Sequence, residues 1–348
     1  MSSLNSNNIS SLNSVLRDID SSLCGESACL SEPIANTALV AEGGGQRGIF
    51  TAGVLDNWLA EQYNPFELLI GTSAGAQNLS SFVTGQLGFA QASIAKLSNQ
   101  ARFFDIKRGL KGSNTVDLDW YFDQVNHSAF HLNTETGLAK LHNRKLLIST
   151  TNSSSYQASF FQPQKSNWLT LLKASSALPF LYRKGVMIGG DYHVDGGLSA
   201  PLPVEEAYRR GAKKIVVIRT MPKQYEAHTP WVKRLRKWVC SSNRCPKAIE
   251  YFLHHEAEYK RSLQFIASPP SDVDIVQIFP ESQLTSQILG SEDNELNNDY
   301  KMGVEAGKLF IEANPVGNFM GGVTHEKVNI SKPRYSAKQA IKSWPRYC

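Results

Sequence analysis

The feature that most constrains this chain is a short apolar run that stops at three consecutive glycines. Residues 37–41 (Thr-Ala-Leu-Val-Ala) are followed by one glutamate and then by Gly43, Gly44 and Gly45. Beyond the glycines, apolar side chains recur at the spacing of one helix face: Ile49, Ala52, Leu55 and Leu59. The pattern predicts a buried strand, a glycine turn and a helix, with backbone amides at the helix N-terminus that suit an anion.

Two interpretations of this turn remain open. Its G-x-G-x-x-G spacing over residues 43–48 also matches a dinucleotide-binding turn, which expects an acidic residue at the end of the next strand. That strand is predicted over residues 66–70, and it ends in Gly-Thr-Ser-Ala-Gly, so the dinucleotide interpretation lacks its second half. An oxyanion hole fits better, because the amides of Gly44 and Gly45 can converge on one oxygen beside the positive charge of Arg47.

A second glycine-rich turn follows the next predicted strand. Gly71, Ser73 and Gly75 form a G-x-S-x-G pattern, and apolar residues with helical spacing begin at Ala76. In this position the pattern describes a sharp turn that exposes a serine oxygen at the C-terminal edge of a sheet. We predict that Ser73 is a nucleophile. The alternative is a tight turn in which Ser73 only caps the helix.

A serine nucleophile needs a base, and Asp195 is the best candidate. It follows a strand-like stretch at 186–194 and precedes Gly196 and Gly197, so we expect its carboxylate at a sheet edge with little backbone around it. The alternative is an ordinary Asp-Gly turn. Histidines fit the role less well, because they fall in mixed helical segments or in the basic C-terminal tail: His127, His131, His142, His254, His255 and His325.

Together these motifs resemble those of the patatin-like phospholipase family over about residues 37–220. The resemblance rests on residues 43–48, 71–75 and 195–197, with support from 174–179. It implies a three-layer α/β/α fold, and hydrolysis of lipid acyl esters by a Ser–Asp dyad that uses no histidine, cofactor or metal. The implied roles are Ser73 as nucleophile, Asp195 as general base, and Gly43, Gly44, Gly45 and Arg47 as oxyanion hole, with motif support from Gly48, Gly71, Gly75, Gly196 and Gly197.

The order of the predicted elements indicates one open sheet. Strands alternate with helices, which favours a mostly parallel sheet covered on both faces. We predict a polar, flexible N-terminal arm at 1–35, a catalytic domain at 36–225 and a C-terminal region at 226–348. The last should hold a basic amphipathic helix, one further strand, a helix at 300–312 and a basic tail. An aromatic-rich stretch at 100–122 is predicted as either a lid or part of the core.

Composition and charge limit the partners. The net charge of +5 over 348 residues is too small to indicate nucleic acid, and it fits attraction to anionic lipid. No run approaches the ~20 apolar residues that span a bilayer. The serine- and asparagine-rich first residues lack the pattern of a secretory signal. We therefore expect a cytoplasmic protein with a phospholipid or other acyl-ester lipid as substrate; a non-catalytic lipid-binding module is a further alternative.

The cysteines do not indicate a disulfide framework in a chain of this length. Two pairs, Cys24 with Cys29 and Cys240 with Cys245, have the number of ligands that zinc needs, but their spacing is loose. We expect reduced thiols, and a zinc site is the alternative.

One segment after the three motifs has the pattern of a membrane-surface helix. In a helical conformation Trp231, Leu235 and Trp238 share one face, and four basic residues lie around them: Lys233, Arg234, Arg236 and Lys237. Basic amphipathic helices of this kind lie in the membrane interface. A solvated helix whose aromatic residues pack on the domain is an equal alternative.

Overall fold

The computed structural model describes residues 32–225 and 247–319. Eight strands form one sheet: β1 Ile34–Ala41, β2 Phe66–Thr72, β3 Lys145–Asn152, β4 Ala158–Phe161, β5 Val186–Ile188, β6 Asp191–Asp195, β7 Lys214–Ile218 and β8 Asp274–Ile278. Their order is β5-β6-β3-β2-β1-β7-β8, with β4 also paired to β3. Neighbours among β3, β2, β1, β7 and β8 are parallel. The pairs β3–β4, β3–β6 and β5–β6 are antiparallel.

Helices connect the strands and cover both faces of the sheet. In chain order the α-helices are α1 Ile49–Ala60, α2 Ala74–Thr84, α3 Phe89–Ala92, α4 Ile106–Leu110, α5 Leu118–His127, α6 Thr134–Lys140, α7 Trp168–Ser175, α8 Val204–Arg209, α9 Lys247–Ala267 and α10 Asp293–Ala313. Short 3-10 turns lie at Gly45–Gly48, Gly196–Leu198 and Val316–Asn318, and a π-helical turn lies at Ser93–Leu97.

The central strands send alternate residues into two apolar layers. On β1, Leu39 and Ala41 join a cluster with α1, α2, α7 and α10, whereas Ala38 and Val40 join a second cluster with α8 and α9. A parallel strand that is buried on both faces has no polar alternation, which is why its sequence is a continuous apolar run. The predicted three-layer α/β/α fold with a mostly parallel sheet is confirmed.

The chain beyond residue 225 completes this sheet and one of its helical layers. β8 pairs with β7, and α10 packs along α1, where Gly303 lies directly against the Phe50 carbonyl. The predicted helix at 300–312 is present but begins earlier, at Asp293. A capping box of Glu292 and Glu295 fixes that start, in a polar stretch where apolar periodicity gives no signal.

The structure also bears on two predictions for the middle of the chain, the strand at 186–194 and the aromatic-rich stretch. The stretch at 186–194 is not one strand; it is a hairpin of β5 and β6 that turns at Gly189 and Gly190, both with positive φ. Within the aromatic-rich stretch, Phe103, Tyr121 and Phe122 are buried in the main apolar cluster, as part of the core.

Several predicted features lie outside the described residues. They are the first 31 residues of the N-terminal arm, the cysteines at 24, 29, 240, 245 and 348, the segment of Trp231, Leu235 and Trp238, and the basic tail. Within 32–225 and 247–319, no helix is long and apolar enough to cross a membrane. In the same ranges no group of three or more His, Cys, Asp or Glu side chains is placed to hold a metal ion.

Candidate active site

Ser73 occupies a strained turn between β2 and α2. Its backbone has φ 53° and ψ −122°, a conformation that non-glycine residues rarely adopt and that occurs mainly at functional sites. Its side chain makes no capping hydrogen bond to α2, contrary to the alternative of a simple helix cap. Its amide donates to Ser175 Oγ at 2.8 Å, which fixes the turn against α7.

The glycines around Ser73 are required by close backbone contacts. A Cβ on Gly75 would overlap the Ala41 carbonyl oxygen and lie 2.6 Å from Glu42 O, and a Cβ on Gly71 would lie 2.5 Å from Ala76 Cα. The end of β1 and the turn after β2 can therefore meet only where no side chain separates them.

We expect Gly75→Ala to lower the free energy of unfolding by about 1–3 kcal/mol, because backbone atoms would have to move apart to admit the methyl group. Gly317→Ala is the matched control, since no heavy atom lies within 4 Å of a Cβ there. Urea unfolding followed by circular dichroism measures both variants. Equal stability of the two would contradict the close contact at Gly75.

Asp195 reaches Ser73 because both β2 and β6 pair with β3. In the parallel pair Thr72 lies opposite Ser149, and in the antiparallel pair Asp195 lies opposite Thr150. β2 and β6 therefore lie on opposite sides of β3, and both end next to the same part of it, at Ser149 and Thr150. The chain then passes closely over Ser149 at Gly196, where a Cβ would overlap the Ser149 carbonyl.

The Asp195 carboxylate is held in a dry position. The side chain is 3% exposed, and Oδ1 accepts a hydrogen bond from the Gly197 amide at 2.7 Å. Burial raises the pKa of Asp195 to about 6, while hydrogen bonding from the Ser73 hydroxyl and the Gly197 amide acts in the lowering direction. Among the described residues, Oδ2 has no partner with ordinary hydrogen-bond geometry, so the approach of the Ser73 hydroxyl to this carboxylate is looser than a standard hydrogen bond.

The glycine turn lies directly against Ser73. A Cβ on Gly43 would lie 3.0 Å from Ser73 Cβ, and Gly44 and Gly45 have φ values of 144° and 58°. The amides of Gly44 and Gly45 donate to no acceptor in the part of the protein that the structure describes. Arg47 lies beside Gly44, and its buried Nε likewise has no partner there.

A loop after β8 holds the glycine turn in a way that the sequence did not predict. The Gln46 amide donates to Ile288 O at 2.9 Å, and Gln46 Oε1 accepts from the Ser291 amide at 2.8 Å. On its other side, Gln46 Nε2 donates to Ser98 Oγ at 3.1 Å. The sequence carries no signal for this contact. It depends on the burial of the Gln46 side chain, which cannot be read from a single sequence.

A cavity opens beside Ser73. About 80 Å³ of it can hold the centre of a water-sized molecule, and the space between its atoms is about 780 Å³ when open solvent is included. Ser73 and part of the glycine turn, Gly45 and Gln46, line it. Apolar side chains form much of the rest of its wall: Phe89, Ala90, Ile94, Phe103, Val116, Leu118, Leu178, Leu181, Ile288 and Leu289. A cavity whose exposed wall is mostly apolar, with polar groups among its lining, is typical of a site for a ligand with a hydrocarbon portion.

Two histidines contact the turn that carries Asp195. His255 Nδ1 lies 2.6 Å from Gly197 O, and His254 Nε2 lies 2.9 Å from Ser199 Oγ. Both belong to α9, which packs against the 3-10 turn at Gly196–Leu198. By sequence these histidines are weaker candidates for the base than Asp195. In the structure their contacts support the turn that carries the Gly197 amide.

Two protein families match parts of this chain, and one known protein matches most of it. The family described as patatin-like phospholipase matches residues 39–208. A domain of unknown function (DUF6363) matches residues 245–316, which include α10 and the loop that holds Gln46. The chain is 43% identical to "Uncharacterized protein YjjU" of Escherichia coli (strain K12) over 275 residues, covering 79% of this chain and 76% of that protein.

These matches define the class of protein: the chain belongs to the patatin-like phospholipase family. Among solved structures, VipD from Legionella pneumophila is similar at a TM-score of 0.40 and 12% identity, over 80% of this chain and 67% of that one. A likeness at this level is too distant to bear on function.

Proposed function

We propose that this protein hydrolyses acyl esters of phospholipids or lysophospholipids with a dyad of Ser73 and Asp195. The observation that carries the proposal is the proximity of three groups: the strained turn at Ser73, a buried carboxylate with a raised pKa, and a glycine turn whose Gly44 and Gly45 amides have no acceptor among the described residues. Membership of the patatin-like family supports lipid acyl hydrolysis in general.

The chemistry proceeds in two halves. In the first, Ser73 Oγ attacks the ester carbonyl carbon while Asp195 takes the hydroxyl proton, and the carbonyl oxygen becomes an oxyanion. Collapse of this intermediate expels the alcohol, which leaves with the proton from Asp195. In the second, a water molecule attacks the acyl-serine while Asp195 takes its proton. Collapse of this intermediate breaks the bond to Ser73 Oγ, which regains the proton from Asp195, and the carboxylic acid is released.

The electrostatic environment favours both the base and the oxyanion hole. An aspartate of ordinary pKa is a weak base toward a serine hydroxyl, and burial makes Asp195 a stronger one. The amides of Gly44 and Gly45, with Gly43 and Arg47 beside them, are proposed to stabilise the oxyanion; one such donor is typically worth ~3 kcal/mol in the transition state.

The cavity supports a lipid substrate. Its largely apolar wall suits an acyl chain, and Ser73 is part of that wall, so the ester of a bound lipid can contact the serine. We propose action of the phospholipase A or lysophospholipase type, at a membrane surface in the cytoplasm.

Labelling with a fluorophosphonate probe tests the proposal without the choice of a substrate. The probe phosphonylates an activated serine, so wild-type protein is expected to be labelled and Ser73→Ala is expected to remain unlabelled. Mass spectrometry of the labelled peptide should place the adduct on Ser73. Equal labelling of both proteins, or an adduct on another serine, would refute the assignment of the nucleophile.

A further inference from the structure

A short loop beside the cavity has the features of a contact surface. Phe104 and Val116 form an antiparallel bridge at its base, and α4 (Ile106–Leu110) lies within it. Phe103 and Val116 also line the cavity next to Ser73. We call residues 104–116 the basic loop; its base is therefore part of the cavity wall.

The basic loop exposes two large aliphatic side chains. Ile106 is 60% exposed and Leu110 is 82% exposed, the two highest values among the large apolar residues in the described ranges. Residues four apart share one face of a helix, so the two side chains form one apolar patch.

The charges beside this patch are positive and available. Lys107 and Lys111 are exposed, and within the described parts of the chain neither forms an ion pair. Asp105 is engaged at the start of α4, where its carboxylate accepts from the Lys107 amide at 2.8 Å.

The loop is held in this shape by internal contacts. The Arg108 guanidinium donates to four backbone carbonyls, those of Arg102, Phe103, Asn114 and Thr115. From outside the loop, Arg183 Nη2 donates to Gly109 O at 3.1 Å. These hydrogen bonds fix the backbone of the loop, so Ile106 and Leu110 are exposed in a defined conformation.

We propose that the basic loop docks this protein on anionic phospholipid surfaces. Ile106 and Leu110 insert at the boundary of headgroups and acyl chains, and Lys107 and Lys111 contact lipid phosphates. The positive sign of the available charges and the position of the loop at the wall of the acyl cavity select this partner. This inference rests on the proposed function, because docking at this loop would bring the cavity to its lipid substrate. Binding to vesicles can nevertheless be measured separately from hydrolysis.

The first experiment measures vesicle cosedimentation of the full chain and of an Ile106→Asp/Leu110→Asp variant. With vesicles of phosphatidylcholine containing phosphatidylglycerol, we expect the variant to lose at least about tenfold in affinity, because two inserted apolar side chains are replaced by charges. Hydrolysis of a short, water-soluble ester should be unchanged. Val316→Asp is the control, because Val316 is 37% exposed and does not line the cavity; it lies in the short turn before Phe319, whose carbonyl accepts from Lys214 at the start of β7.

The second experiment tests the charges with Lys107→Gln/Lys111→Gln. We expect about a fivefold loss of affinity per lysine on the anionic vesicles, and little change on vesicles of phosphatidylcholine alone. Lys145→Gln/Lys308→Gln is the matched control, because both lysines are exposed and neither lines the cavity.

Several outcomes would overturn the proposal. Unchanged vesicle affinity in the Ile106→Asp/Leu110→Asp variant is one. A shift of its sedimentation coefficient without a change in vesicle affinity is another, since that result would assign the loop to contact between two copies of the chain. If vesicles are bound through the loop but no ester is hydrolysed, the proposed function fails while docking stands.

Discussion

Ser73→Ala is expected to lower kcat/KM for a short acyl ester by about 10⁵-fold, the scale seen when a serine nucleophile is removed from a hydrolase. The reason is local: Ser73 Oγ would be the only atom that forms the acyl bond, and the glycine turn cannot form one. Hydrolysis of a p-nitrophenyl ester in an assay of purified wild-type and variant protein measures the effect. The positive φ of Ser73 is strained for alanine as well, so we expect similar stability of the two proteins.

Ser176→Ala is the matched control for this experiment. Ser176 lies in the same cavity, and its hydroxyl accepts a hydrogen bond from Gln77 Nε2 at 2.9 Å. We expect this variant to keep most of its activity, because no hydrogen bond joins this serine to a carboxylate within the described residues. Ester hydrolysis that survives in Ser73→Ala but falls in Ser176→Ala would move the nucleophile and remove the basis of the dyad.

The parts of the fold that local periodicity controls could be predicted from the sequence. The helix that follows the glycine turn runs from Ile49 to Ala60, where the apolar spacing places it. The helix after Ser73 begins at Ala74, as the G-x-S-x-G pattern implies. These signals are local, because turn chemistry and side-chain spacing act over a few residues.

The parts of the candidate site that depend on strand pairing could not be predicted in the same way. The sequence placed Asp195 at the end of a strand, but it gave no sign that β6 runs antiparallel to β3 and reaches Ser73 from the far side. Nor could it show that Gln46 binds the Ile288 and Ser291 backbone, across more than 240 residues of chain. Such contacts follow from register and loop packing, which no periodicity in one sequence encodes.

Asp195→Asn is expected to lower kcat by about 10⁴-fold, because an amide of the same shape cannot accept the proton of Ser73. In the wild type, Asp195 must be ionised to act as a base. Since its pKa is raised to about 6, activity should be low at pH 5, half-maximal near pH 6 and constant above about pH 7. Rates of ester hydrolysis measured from pH 5 to pH 9 test this profile. A wild-type profile that is flat across pH 6 would contradict Asp195 as the base.

Asp56→Asn controls for the effect of a second buried carboxyl. Burial also raises the pKa of Asp56 to about 6, but that side chain accepts from the Gly88 amide and Tyr300 Oη, and it does not line the cavity beside Ser73. The activity of Asp56→Asn should follow the wild-type pH profile. A shifted profile in this variant would mean that the titration near pH 6 does not belong to Asp195.

The same substitution at Asp195 should stabilise the fold at neutral pH. A carboxyl whose pKa is higher in the folded state than its ordinary value of 3.8 binds more protons when folded, so its contribution to the free energy of unfolding falls as pH rises from about 4 to 6. Above pH 7 the charged, buried carboxylate therefore costs about 3 kcal/mol, by the size of the pKa shift. Urea unfolding should show Asp195→Asn more stable than wild type at pH 7.5 and equal to it near pH 4. If Asp195→Asn is inactive but more stable at pH 7.5, the carboxylate serves catalysis at a cost in stability. If the variant is less stable at pH 7.5, Asp195 instead stabilises the turn at Gly196 and Gly197.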